Sequence, residues 1–421
     1  PRGPRGGQKN RCRRLDPPMT IAPLVLVGIL STTVVAVSGT PLPNSSAVVR
    51  VTQSGGLTAE TQAAVTEAAW FAGADTTVLH RVTLQLLQVS RGDAPVQSPP
   101  PGFGYPMLTT AADPTAATLD PGVRSVLARG QLVMGEITAS LRGARKGDVA
   151  RIEGLNGVVT DLEVGAIVPD YDLGWSEIWL STEVGSQLGI DRPQAILLWG
   201  GNAGRIAGLV REFAADDSVR VSVSGHARND PDAVLPVAAV KQRFGEFAIR
   251  PGAGDSVVVD PVWRDRWIVS VDFPLVGVTR CHRMVVPYVR GALAEIEASG
   301  LADLLDRGDF QLAGGCYNPR LNRGGDPGFS LSRHSWGTAI DFNPSSNRYG
   351  EEPTMPMAVV EIFRRWGFSW GGTWTVPDGM HFEWVRLPSE YAVSCSSFVL
   401  GRGIASEGVG WSVEPRAAGC P

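Results

Sequence analysis

Histidine and cysteine are scarce in this chain, which has 421 residues and only five of each. No two cysteines stand in a Cys-x-x-Cys spacing, so nothing points to a cysteine-rich zinc site. Charge of one sign is also lacking, because the formal net charge is only −4. Composition therefore gives no case for a nucleic-acid-binding protein, and we expect no nucleic-acid partner.

Long uncharged hydrophobic runs are rare too, and the one that stands out lies near the N-terminus. It extends from Thr20 to Ser38, roughly the length that spans a hydrocarbon core. Basic residues precede it, which predicts that the N-terminus lies inside and the remainder outside. A cleaved signal peptide explains the same pattern, since Ala36-Val37-Ser38 is a small-residue cleavage site.

Both interpretations export everything after Gly39. We expect a basic cytoplasmic N-terminus (1–19), then a transmembrane anchor or signal peptide (20–39), then an extracytoplasmic remainder. The protein would be a single-pass protein of the cell membrane, or secreted if the segment is cleaved.

Four of the five cysteines would then be outside, and an even number in an exported region suggests two disulfides. These four are Cys281, Cys316, Cys395 and Cys420. Four cysteines allow three pairings. Closeness in sequence favours Cys281–Cys316 and Cys395–Cys420.

The length suggests two or three domains, and the many glycines (50) and prolines (31) favour β or α+β structure over long helices. Residues 40–235 show a mixed α/β pattern of unknown role. Thr58 is placed to cap a helix, and Asn156-Gly157 predicts a hairpin. A loop is expected at 90–106 and a helix at 203–213. No group of catalytic residue types occurs in this region.

The polar stretch 224–236 is a plausible domain boundary, and we expect a second domain at 245–400 with a C-terminal tail at 401–421. Apolar stripes predict helices at about 283–299 and 355–366. Alternation predicts strands at 338–342 and 380–384. On such a strand His381 and Glu383 would share one face.

Three residues in this second domain form a candidate metal-ligand set: His334, Asp341 and His381. Two imidazoles and one carboxylate suffice for a catalytic zinc, which keeps a fourth position open for water. His334 and Asp341 are seven residues apart and would point to opposite faces of a continuous strand. The backbone must therefore bend between them, and Gly337 is the residue able to bend it.

The flanks of these residues resemble a known family. The pattern Ser-x-His-x-x-Gly-x-Ala-x-Asp (332–341), followed by Asp-x-Met-His-Phe-Glu (378–383), is similar to the zinc D-alanyl-D-alanine carboxypeptidases and their endolysin relatives, the L-alanyl-D-glutamate peptidases. Upstream, Gly314-Gly315-Cys316-Tyr317-Asn318-Pro319-Arg320 resembles the arginine-bearing segment of that family. The resemblance covers roughly 275–390. It implies a small α+β domain with a central antiparallel sheet.

By that resemblance His334, Asp341 and His381 are ligands of Zn²⁺, although the residue types leave Mn²⁺ and Co²⁺ open. Asp378 matches the catalytic acid/base, and Arg320, preferred over Arg323, matches the arginine that faces the scissile carbonyl. Ser332 and Glu383 either support the site through hydrogen bonds or are structural. Trp336, Trp370 and Trp374 either line the cleft or fill the core. No cofactor other than the metal is implied.

The implied reaction is hydrolysis of an amide bond in peptidoglycan stem peptides, with D-alanyl-D-alanine carboxypeptidase activity preferred. The shared motifs leave two alternatives. One is an endopeptidase that cuts L-Ala-D-Glu or a cross-link. The other is a zinc-stabilised module that binds the cell wall without turnover.

Overall fold

The computed structural model describes residues 48–389, apart from 54–55, 115–119, 175, 192, 217, 225–230, 309, 311–314, 323–329 and 375. The predicted membrane segment, the basic N-terminus, Cys395, Cys420 and the C-terminal tail lie outside these residues. Within the part that is described, no helix has both the length and the apolar character needed to cross a membrane.

The described residues before 225 contribute ten strands to one sheet. These are β1 (Val48–Gln53), β2 (Asp75–Arg91), β3 (Ala94–Gln97), β4 (Tyr105–Ala112), β5 (Leu132–Gly135), β6 (Val149–Glu153), β7 (Val159–Val168), β8 (Ile178–Ser181), β9 (Ala195–Trp199) and β10 (Val219–Ser224). The helices between them are α1 (Ala59–Ala72), α2 (Pro121–Ala128), α3 (Glu136–Arg142), α4 (Thr182–Gln187) and α5 (Ala203–Phe213), with a 3₁₀ turn at Asp170–Leu173.

Six of these strands close into a barrel. β2 pairs with β4, and the order continues through β8, β5, β7 and β6, which pairs back with β2. Closure leaves these six strands without an open edge between them. The long strand β2 also extends beyond the barrel, where its first residues pair with β9 in the order β10-β1-β9-β2. Helices α1 and α5 pack on this extension, with Val65, Ala68, Ile206 and Val210 in its core.

Several local predictions in this region are confirmed. Thr58 caps α1, its hydroxyl accepting from the backbone N–H of Thr61, an arrangement that contributes about 1 kcal/mol. The Asn156-Gly157 turn joins β6 to β7, with Gly157 at a φ of 77°. The predicted loop at 90–106 was wrong in part, because β2 runs to Arg91 and β3 follows it. A strand containing Pro95 is tolerated there because β3 pairs with β2 alone.

The elements after residue 230 form a separate core. The helices are α6 (Val237–Phe244), α7 (Pro261–Trp267), α8 (Val286–Ala298) and α9 (Met357–Arg365). The strands are β11 (Ile249–Pro251), β12 (Val257–Val259), β13 (Ile268–Phe273), β14 (Gly277–His282), β15 (Ala339–Asp341), β16 (Phe368–Trp370) and β17 (His381–Trp384). The short 3₁₀ turns are Ala302–Leu304, Arg333–Ser335 and Gly371–Thr373.

A small antiparallel sheet of order β15-β17-β16 lies within this core, as the family resemblance implied. Phe342, Phe363, Phe368 and Phe382 are fully buried around it, and their rings contact one another. The two predicted helices are present as α8 and α9, each a few residues shorter than expected. Cys281 and Cys316 form a disulfide, so this predicted pairing is confirmed.

Four buried charged residues connect the barrel region to the C-terminal region, and we call them the junction cluster: Arg142, Glu177, Lys241 and Glu246. Lys241 Nζ lies 2.7 and 2.8 Å from the two carboxylate oxygens of Glu177 and 3.1 Å from Glu246. Arg142 pairs with Glu246. Burial raises the pKa of Glu246, but Arg142 and Lys241 outweigh it and hold the pKa below its usual value. The cluster is thus two cations balanced by two anions.

Candidate metal centre

His334 is carried by the 3₁₀ turn Arg333–Ser335 and is completely buried. Ser332 caps this turn, its hydroxyl accepting from the backbone N–H of His334 at 3.3 Å. The ring nitrogen Nδ1 lies 3.2 Å from the backbone carbonyl of Cys316. A hydrogen bond to that carbonyl places the proton on Nδ1, which leaves Nε2 as the nitrogen able to bind a metal.

The bend after this turn is made at Gly337, which has a φ of 67°. A Cβ atom at this position would lie 2.8 Å from the backbone nitrogen of His282 and 3.0 Å from Ile268 Cδ1. Glycine is therefore required both by the conformation and by the close approach of β14. The bend directs the chain into β15, which ends at Asp341.

Strand pairing brings Asp341 to His381. These two residues are direct partners in the antiparallel register of β15 and β17, and His381 Nδ1 donates to Asp341 Oδ1 at 2.9 Å. The same carboxylate oxygen lies 3.1 Å from His334 Nε2. One ligand atom from each of the three buried residues lies within 4.8 Å of the others.

This geometry fits a divalent cation. Tetrahedral ligands at zinc distances are about 3.3 Å apart, close to the separations of 2.9 and 3.1 Å. His334 Nε2 is buried and lies 3.1 Å from Asp341 Oδ1, but no hydrogen bond satisfies it. A metal ion bound here would satisfy this nitrogen.

The electrostatics of the group favour a cation. Burial raises the pKa of Asp341, but the two imidazoles outweigh it and bring the pKa far below its usual range. Burial lowers the pKa of His381, whereas hydrogen bonds to Asp341 and Glu383 raise it to about 10. Carboxylates that stabilise an imidazolium this strongly would also stabilise a divalent cation among them.

Glu383 lies on the far side of His381. Its Oε2 is 3.5 Å from His381 Nε2 and 3.6 Å from Arg333 Nε. Burial raises the pKa of Glu383, but Arg333 and His381 outweigh it and lower the pKa. Glu383 is therefore an ionised group that orients the His381 ring, and Arg333 supplies the compensating charge. Nothing in the sequence pattern had singled out Arg333.

Arg320 reaches the same centre from the segment after the disulfide. Its Nη1 donates to Ser332 Oγ at 2.6 Å, and its Nη2 lies 4.0 Å from Asp341 Oδ2. Ser335 fixes the backbone of Arg320 on both sides, with its hydroxyl accepting from the N–H and donating to the C=O, each at 3.0 Å. Ser332 thus touches both the His334 turn and the Arg320 side chain.

Asp378 lies three residues before His381 and is partly buried. Its backbone N–H donates to Gly371 O at 2.9 Å, and its carbonyl accepts from His381 N at 3.1 Å. Its carboxylate Oδ1 is buried and makes no hydrogen bond. Burial raises the pKa of Asp378, and Asp341 adds to the rise, while His381, His334 and Arg320 lower it. The carboxylate is therefore electrostatically part of the centre.

The three tryptophans divide between core and site. Trp336 is fully buried, and its Nε1 donates to Gly245 O at 3.1 Å. Trp370 is nearly buried, and its Nε1 donates to Gly379 O at 2.9 Å. Trp374 is half-buried, with its ring centroid 5.4 Å from that of His381. Trp374 is thus the tryptophan that borders the metal centre.

His282 lies outside the metal centre and is structural. It is buried against the Trp267 ring, its Nε2 contacts Phe244 O, and burial lowers its pKa to about 4.

Besides Arg333, two contributors to the site were not predicted from the sequence. The Cys316 carbonyl is a backbone atom, which no residue pattern reveals. Asp232, within the expected domain boundary, is a buried residue that contacts Trp370 and Thr373.

The buried imidazoles and carboxylate at these distances form a group that could hold a metal ion. Comparison with known proteins gives a match of the same kind: residues 326–384 match the family model described as D-alanyl-D-alanine carboxypeptidase. This is the family that the motifs resemble, so the resemblance is confirmed for this C-terminal region. The matched residues include His334, Asp341, Asp378 and His381, while Arg320 precedes them. No curated protein matches the chain.

Proposed function

We propose that this chain is a zinc-dependent peptidase that hydrolyses an amide bond of peptidoglycan stem peptides, as a D-alanyl-D-alanine carboxypeptidase. The observation that carries the proposal is the convergence of His334, Asp341 and His381, with Asp378 and Arg320 beside them. The family match over residues 326–384 supports a peptidase.

In this proposal His334, through Nε2, and His381 and Asp341 hold the ion. A zinc ion in such a site supplies Lewis acidity at the scissile carbonyl and activation of a water molecule. Asp378 takes a proton from the water and passes it to the departing amine nitrogen, since its carboxylate has an unused buried oxygen. Arg320 stabilises the negative charge that develops on the carbonyl oxygen. Its guanidinium is held for this by Ser332.

We also propose that residues 1–39 direct export, which would place the site on the side of the membrane where peptidoglycan lies. The disulfide Cys281–Cys316 supports an oxidising compartment. We propose that residues 20–39 also anchor the protein in the membrane.

The test is a panel of defined peptides incubated with the zinc-loaded full chain, with products identified by mass spectrometry. A stem pentapeptide ending in D-Ala-D-Ala should lose one free D-Ala. Cleavage of L-Ala-D-Glu or of a cross-linked dimer instead would establish an endopeptidase. Binding of the peptides without any product, in protein that contains stoichiometric zinc, would contradict a hydrolase and leave a wall-binding module.

A further inference from the structure

Asp232 occupies an unusual position for an acidic residue. It lies upstream of the residues that match the peptidase family, in a polar stretch, yet it is only 2% exposed. Its carboxylate forms a two-pronged pair with Arg364 of α9, with Arg364 Nε 3.0 Å from Oδ1 and Nη2 on Oδ2. This pair satisfies the charge of Asp232, but the carboxylate makes further bonds that the pair alone does not need.

Four further hydrogen bonds of Asp232 go to one segment. Asp232 Oδ1 accepts from the backbone N–H of Trp370 at 3.0 Å, and Oδ2 accepts from Thr373 Oγ1 at 2.8 Å. The backbone carbonyl of Asp232 accepts from Ser369 Oγ at 2.6 Å and from Trp374 Nε1 at 3.3 Å. One residue thus fixes both ends of the tight turn between Trp370 and Trp374.

The turn between Trp370 and Trp374 also positions Asp378, the proposed base. We call the described residues of this segment, 371–374 and 376–380, the base loop. Gly371 O accepts from the N–H groups of both Asp378 and Trp374, at 2.9 and 3.1 Å. Trp370 Nε1 donates to Gly379 O. A Cβ at position 371 would lie 2.6 Å from Asp378 O, so the base sits directly against the turn.

We propose that Asp232 is a positioning residue of the peptidase: it fixes the turn that presents the carboxylate of Asp378 and the ring of Trp374 to the metal centre. The catalytic role of Asp232 rests on the proposed function, because it requires that the chain is a peptidase. It extends the functional unit to a residue upstream of the matched segment. The residue acts through backbone and indole hydrogen bonds and touches neither metal nor substrate.

The informative variant is Asp232→Asn, which keeps the shape but has one acceptor oxygen where the carboxylate has two. It cannot serve Trp370 N and Thr373 Oγ1 from separate carboxylate oxygens, as Asp232 does. The matched control is Glu246→Gln, because Glu246 is also a buried carboxylate paired with a buried arginine. Thr373→Val is a milder second variant, which removes the hydroxyl of an exposed residue and with it the bonds to Asp232 Oδ2 and to Trp370 O.

The experiment compares hydrogen exchange of peptides covering 368–381 in the zinc-loaded full chain. In Asp232→Asn these amides should exchange about tenfold faster or more, and in Thr373→Val by a smaller factor in the same direction. Glu246→Gln should leave them unchanged. Equal exchange in the wild type and Asp232→Asn would overturn the proposal, as would equal acceleration in Glu246→Gln. Should Asp232→Asn fail to fold, the Thr373→Val result decides alone.

The kinetic arm uses the same proteins on the D-Ala-D-Ala peptide. Asp232→Asn should lower kcat on the order of 10–100-fold, with KM and zinc content unchanged, while Glu246→Gln keeps the wild-type kcat. Parallel loss of zinc and kcat would make Asp232 merely structural and overturn the proposal. If the wild type cleaves no peptide, the proposed function fails, and the exchange result still decides whether Asp232 fixes the base loop.

Discussion

The junction cluster and the metal centre are two buried groups of charged side chains, and they differ in how their charged groups are paired. In the junction cluster, Lys241 and Arg142 meet Glu177 and Glu246 as direct ion pairs. In the metal centre, two side-chain atoms of the same site, His334 Nε2 and Asp378 Oδ1, are buried without hydrogen bonds. Arg142 Nε is also buried without a hydrogen bond, so the difference lies in the charges. Those of the junction cluster are paired with one another, whereas the unbonded atoms of the metal centre are acceptors suited to a cation.

The largest effect is expected from Asp341→Asn, which removes the central charge of the metal centre while keeping its shape. Zinc retention and peptide hydrolysis should both fall to the background of the assay, because the two histidines lose the anion that joins them. Metal analysis after dialysis checks this. Asp148→Asn is the control, since Asp148 is equally buried but pairs with Arg91 in the barrel region. Zinc retained by Asp341→Asn would remove Asp341 from the ligand set.

A second test separates metal binding from chemistry. Asp378→Ala should retain zinc but lose on the order of 10²–10⁴ in kcat, the range expected for a general base. Zinc content and kcat measured on one preparation check this together. Equal activity of the wild type and the variant would exclude Asp378 as the base.

A smaller effect is expected from Glu383→Gln, which weakens the support of His381 while leaving the ligands in place. Zinc affinity should fall about 10–100-fold, as for other groups that orient a metal-binding histidine. Competition with a chelator of known affinity measures this. Glu295→Gln, which removes an acid of α8 that pairs with Arg365 of α9, should bind zinc as the wild type does.

The smallest effect on catalysis is expected at the junction cluster. Lys241→Met should lower the free energy of unfolding by about 3–5 kcal/mol, because it leaves Glu177 buried without its cation. Zinc content and kcat of the folded variant should stay at the wild-type values. The double variant Lys241→Met/Glu177→Gln should recover part of the stability in urea denaturation. Loss of zinc in folded Lys241→Met would show that the two clusters are not independent.

Local features of this fold were predictable because their causes lie within a few residues. Thr58 caps a helix, Asn156-Gly157 makes a turn, and Gly337 bends the backbone, each through its own conformational preference. The closure of the barrel was not predictable, since alternation of apolar residues does not say that β6 pairs with β2. The mixed α/β expectation for this region was correct only at that coarse level.

The same limit applies at the site. The spacing and flanks of His334, Asp341 and His381 identified them, because metal ligands need particular residue types. Asp232 was placed in a boundary, because a charged residue in a polar, Pro-containing stretch normally faces water. Its burial depends on a distant arginine, Arg364, and on two tryptophans, a long-range arrangement that leaves no local pattern.

The most direct test of the account is anomalous diffraction at the zinc edge from crystals of the full chain grown with stoichiometric zinc. We expect one strong peak at about 2.0–2.2 Å from His334 Nε2, from a nitrogen of His381 and from an oxygen of Asp341. Density for zinc elsewhere, with none among these three residues, would contradict it.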